Sequence, residues 1–138
     1  MIDFILEKFT EITSKCLEKN AKEYGSQKTK MQLVFKLGLD DEVEYLIYKD
    51  YQPLKVVSFL QVLGVKLDFK GYSVFVPKFI KGALNRFCEE DKISKANVRV
   101  VLSFDDKNKL VMWLYDSNKY IKVVELESLF DGADMITE

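Results

Sequence analysis

Lys78, Lys81 and Arg86 fall in the stretch VPKFIKGALNRFCEED, residues 76–91, whose charges run against helix preference. The bases occupy its first two-thirds, and Glu89, Glu90 and Asp91 close it. Aligned peptide dipoles favour the opposite arrangement, with acids at a helix start and bases at its end. Lysines beside the unpaired N–H groups of a helix start form an anion site suited to a phosphate or a partner's carboxylate. Pro77, read as the first helical residue, sets that start. Lys78 and Lys81 share a face, Phe79, Ile80 and Leu84 anchor the helix from behind, and Arg86 points elsewhere around it. The plainer alternative is a surface helix carrying a small penalty, typically about 0.3–1 kcal/mol for each terminal charge.

Other chemistry-bearing residues are sparse. Asp40, Asp41, Glu42 and Glu44 cluster in a loop but lack the ligand spacing and glycine of a calcium loop, so they read as a solvated turn. Asp105 and Asp106 are neighbours in another turn, where adjacent side chains diverge. Cys16 and Cys88 form no metal motif and no disulfide framework. The glycines are scattered singly, without a phosphate-cradling loop.

The chain contains no histidine. That excludes Ser/His and Cys/His catalysis and most zinc sites, leaving carboxylate, lysine or tyrosine chemistry for any enzyme. A net charge of −1 supplies no global field toward nucleic acid or an anionic membrane. The opening MIDFILEKF is too short and too charged for a secretory signal or a membrane span, so a reducing cytoplasm is the expected setting.

These residues must be positioned by elements legible in the hydrophobic pattern. Over 2–24, Ile2, Ile5, Leu6, Phe9, Ile12, Cys16 and Leu17 recur at helical spacing, and Gly25-Ser26 ends the run. Cys16 lies on that stripe and reads as a small buried hydrophobe. KMQLVFKL and VEYLIYK alternate and flank the acidic turn as paired strands. Residues 53–64 read as a helix bounded by Pro53 and Gly64, although Val56, Val57, Phe59 and Val62 favour a strand. VKLDF and YSVFV read as a hairpin about Lys70-Gly71, its aromatics near lysines faintly like a base-stacking surface. Three strands follow at 97–104, 110–115 and 119–124, and the acidic tail starts with a helical turn. The strand LVMWLY is apolar on both faces, as suits the centre of a sheet covered on both sides, with Trp113 buried.

The expected fold class is α+β: a single domain over residues 1–138 with a mainly antiparallel sheet, an N-terminal amphipathic helix and one or two further helices. The expected function is that of a non-enzymatic interaction protein without cofactor or metal. It would bind another macromolecule, foremost a protein, as an inhibitor or adaptor of the phage or mobile-element kind does. A homodimer is also expected, since so short a chain has little with which to cover both sheet faces. The alternatives are a nucleic-acid binder using Lys78, Lys81, Arg86, Lys92, Lys95 and Arg99, and a histidine-independent enzyme using carboxylates and lysines. Lys78, Lys81 and Arg86 are the candidate binding residues.

Overall fold

The computed structural model describes residues 2–64 and 72–131. The first apolar stripe folds as helix α1, Ile2–Glu23. Phe9, Thr13, Cys16, Leu17, Asn20 and Ala21 are buried along it, while Glu11 and Lys15 pair on the outer face at 3.0 Å. The buried Thr13 hydroxyl donates to the Phe9 carbonyl, so a polar group on the stripe is satisfied within its own helix.

The alternating segments form β1 (Met31–Leu37), β2 (Val43–Lys49), β4 (Val98–Phe104), β5 (Leu110–Asp116) and β6 (Lys119–Val124), with β3 at Gln52–Val57. All neighbours pair antiparallel in one sheet of order β3-β2-β1-β4-β5-β6. Two three-stranded meanders thus meet at the β1–β4 pairing. Side chains alternate across each strand. Met31, Leu33, Phe35, Tyr45, Ile47, Val98, Val100, Leu102, Met112 and Leu114 point to one face and join the main core.

That core is closed by α1, by the short α2 (Phe59–Leu63) and by α3 (Tyr72–Asp91), which places Ile80, Ala83, Leu84 and Phe87 against the sheet. A 3-10 turn at Leu126–Phe130 adds buried Leu129 and Phe130 on the same side. The fold is α+β, as expected.

Residues 53–64 differ from the expected helix. Gln52–Val57 is an edge strand, where Pro53 is tolerated because an edge residue has no second ladder to supply. The helix begins only after Ser58, in a capping box: Ser58 Oγ accepts from the Gln61 amide at 3.1 Å, and Gln61 Oε1 accepts from the Ser58 amide at 2.7 Å. Gly64 ends it at φ 78°.

The second difference concerns Pro77. The segment YSVFV is the first part of α3 rather than a strand, and Pro77 sits inside the helix. A proline there forfeits one main-chain hydrogen bond. The stripe Val76, Ile80, Ala83, Leu84 and Phe87 nevertheless runs unbroken past it and is fully buried, so packing outweighs that loss. VKLDF and the Lys70-Gly71 turn lie outside the described residues.

The third difference concerns β5, which is next to the sheet edge rather than central. Leu110, Met112 and Leu114 are buried under the helices. Val111, Trp113 and Tyr115 face the other way and are only half-buried, so Trp113 is not a core residue. Among the described residues all helices pack on the first face, and the second carries only side chains of the strands and of the turns that join them.

Candidate functional site

The helix-free face is organised by strand register. Val56 lies opposite Leu46, Leu46 opposite Val34, Val34 opposite Val101, Val101 opposite Trp113, and Trp113 opposite Val123. One apolar row therefore crosses the whole sheet. Its middle members are buried, with Val34 at 1% and Val101 at 6% exposure, while Val56 and Val123 at the edges are 67% and 52% exposed. Among the described residues no helix provides that central burial. Tyr48, Trp113 and Tyr115 lie against Val34, Leu46 and Val101 and form a second, smaller cluster.

Above this floor runs an open groove of about 770 Å³. Tyr48, Tyr51, Gln52 and Pro53 form one wall, and Arg99, Tyr115, Ser117 and Asn118 the other. Tyr115 stands edge-on to Tyr120, ring centroids 5.9 Å apart. Burial pushes the Tyr115 hydroxyl's pKa up, with smaller contributions from the Tyr51 and Tyr120 hydroxyls, so it remains a neutral donor at physiological pH.

Gln32 holds one wall in place. Its side chain is 1% exposed; Oε1 accepts from the Tyr51 amide at 2.8 Å and Nε2 donates to the Lys30 carbonyl at 3.0 Å. The turn it supports puts Asp50 at φ 49° and Tyr51 at φ 64°. A two-residue hairpin needs this left-handed pair, but a bulky tyrosine there is strained. Tyr51 is also 56% exposed. Asparagine or glycine would close the turn with less strain, so the tyrosine side chain, rather than the turn, accounts for the residue type.

Among the described residues Arg99 is the groove's one cation. Nη1 donates to the carbonyls of Ala96 and Val98 at 3.0 and 2.9 Å, and no carboxylate among the described residues pairs with it. Lys36, beside it across the β1–β4 ladder, is neutralised by Glu44 at 3.6 Å.

The three residues singled out from sequence do not converge. Because α3 begins at Tyr72, Lys78 lies beyond its first turn and is exposed, and neither lysine adjoins the open N–H groups of the helix start. Lys81 pairs with Glu42 at 3.5 Å and Asp41 at 3.7 Å, so the acidic turn answers the inverted charge. Arg86 donates to the Ser128 carbonyl and sits 3.6 Å from Asp131. Lys95 also reaches Asp41, at 4.0 Å, and Arg99 is on the opposite face of the sheet from α3. The basic stretch 78–99 is thus divided between two sides of the molecule.

The cysteine thiols are both buried, and burial raises the pKa of each, to about 11 for Cys16. Among the described residues no group of three or more Cys, Asp or Glu is placed to hold a metal ion, and no helix is long and apolar enough to cross a membrane. Sequence reasoning missed the groove because its residues come from β1 to β5 and from two turns distant in the chain. The signal that could have found it was the double-faced apolar pattern of β5, read there as coverage. No family model, no curated protein and no solved structure matches this chain.

Proposed function

We propose that this protein is a non-enzymatic interaction module that seats a segment of another protein on the helix-free face of its sheet. The observation that carries this reading is the groove's side-chain chemistry. Tyr48, Tyr51, Tyr115 and Arg99 gather over an apolar floor against which Trp113 also packs, with Gln52, Ser117 and Asn118 at the margins. Tyrosine, tryptophan and arginine are the residues enriched at protein interfaces and at their energetic centres, because each offers large contact area with a polar end. The groove's volume is within the range of about 300–1,000 Å³ found for ligand clefts. Dispersal of the basic stretch favours a protein over nucleic acid, whose backbone calls for a continuous positive surface.

The test is quantitative capture from the native host with wild type and with Tyr48→Ala/Tyr115→Ala, both verified as folded by circular dichroism. A protein retained by wild type and lost with the double variant supports the reading. A set of retained proteins that is the same for both overturns it.

A further inference from the structure

Building on that reading, we infer that the segment seated in the groove is acidic, and that a carboxylate of it pairs with Arg99. A guanidinium has five N–H donors. Here one nitrogen, Nη1, is engaged with main-chain carbonyls of the same strand region, which fixes the plane of the group. The other nitrogens form no hydrogen bond among the described residues. Arg99 is half-buried, lies opposite Tyr115 in the β4–β5 ladder, and borders a floor of buried valines. A charge so placed is incompletely paired among the described residues, and an arriving carboxylate would meet a pre-oriented pair of donors.

The charge count selects the kind of anion. Among the described residues the groove wall holds one arginine and no lysine, and the adjacent Lys36 is already matched by Glu44. Phosphate recognition uses clusters of bases, whereas a single arginine matches the single charge of an Asp, a Glu or a chain terminus. Around Arg99, the tyrosine walls and the Val34–Val101 floor would take apolar or aromatic neighbours of that carboxylate. Strands of seven residues make the face about 20 Å long, which an extended segment of about six residues spans. The occupant is therefore a short extended acidic segment with apolar flanks.

The experiment is selection of random peptides of about twelve residues, displayed on phage, against the full chain, followed by titration of a synthetic winner. Enriched peptides are expected to share an Asp or Glu close to an aromatic or aliphatic residue. Arg99→Ala should weaken the winner about 30-fold, the scale of a central interface residue. Asp→Asn (or Glu→Gln) in the peptide should cost a similar factor in wild type and nothing further in Arg99→Ala, the signature of a direct pair. Thermal melts of each variant separate lost contact from lost fold.

Winners that need Tyr48 and Tyr115 but carry no acid, or are indifferent to Arg99→Ala, overturn the carboxylate pairing and leave the binding face standing. Peptides indifferent to every groove variant, or no enrichment at all, overturn both. Tighter binding of a single-stranded oligonucleotide than of any peptide, with the same Arg99 dependence, makes the anion a phosphate and overturns the acidic segment. A dimer by light scattering that Tyr115→Ala dissolves assigns the face to a second copy and overturns it as well.

Discussion

Phe9 of α1 and Phe130 of the C-terminal 3-10 turn meet edge to face, ring centroids 5.2 Å apart at 75°. Both are almost wholly buried, and Phe35 of β1 tilts against Phe9 from the sheet side at 6.0 Å. This aromatic contact ties the two ends of the described chain to its central strand. Phe9→Ala should therefore cost about 3–5 kcal/mol, read from the shift in urea midpoint. A loss near half a kcal/mol, the scale of surface changes, would contradict the packing.

Arg86 serves the same junction from outside. Its guanidinium donates to the Ser128 carbonyl, pairs with Asp131 and lies over Phe87 at 5.5 Å. It secures the turn that carries Phe130, so its role is structural. Arg86→Ala should lower stability by about 1.5–3 kcal/mol, the range for a hydrogen bond to a charged group. By contrast Lys78→Glu, on an exposed position, should stay within about 0.5 kcal/mol. Equal losses for both would argue against the Ser128 contact, and groove binding should be indifferent to Lys78→Glu.

These two cases show how far the sequence could be read. The α1 stripe and the alternation of β1, β2, β4 and β6 are local patterns, and each appears where the periodicity puts it. The Ser58-x-x-Gln61 box was equally local but lay inside a run whose Pro53 suggested an earlier start. Pro77 misled in the same way: proline is favoured at a helix start, and only the buried stripe Val76 to Phe87 shows why the helix extends back past it. Arg86 and Lys81 have partners 42 and 39 residues away, which spacing along one helix cannot reveal. The groove was least legible of all. Val34, Val101 and Trp113 become neighbours only through the β1–β4–β5 register, and the position of Arg99 among tyrosines follows from that register alone.

The strained turn offers a separation of stability from binding. Tyr51 adopts φ 64°, a conformation glycine enters without steric cost. Tyr51→Gly should leave stability unchanged or raise it by up to about 1 kcal/mol, because relief of strain is partly offset by the freer unfolded chain. Peptide binding should nevertheless weaken, since a groove wall is removed. Gln32→Ala should do the reverse in part, costing about 1–3 kcal/mol by leaving the Tyr51 amide without its partner, while the Lys30 carbonyl keeps its bond from the Asp50 amide. A Tyr51→Gly protein that melts several degrees lower and binds as wild type would refute this division.

Cys16 sets an alkaline limit on stability. Its thiol is 7% exposed, and burial pushes its pKa from the usual 9.0 to about 11, with Lys55, Lys19 and a contact from Asn20 pulling weakly the other way. The folded protein therefore keeps the proton over a range in which the unfolded chain has lost it. With more protons bound in the folded state, stability falls as pH rises. The contribution is complete below pH 9, declines through pH 9–11 and levels off above, a total of about 2–3 kcal/mol. Tyr45, whose buried hydroxyl is likewise pushed up, acts in the same direction above pH 10. The clean measurement is the difference in unfolding free energy between wild type and Cys16→Ala, taken from pH 7 to pH 11, because contributions shared by the two proteins cancel. That difference should be flat to about pH 8.5 and then shrink, and alkylation of the native thiol at pH 7 should be slow for the same reason. A difference that stays level to pH 11 would show that the Cys16 thiolate is no worse accommodated in the folded chain than in water.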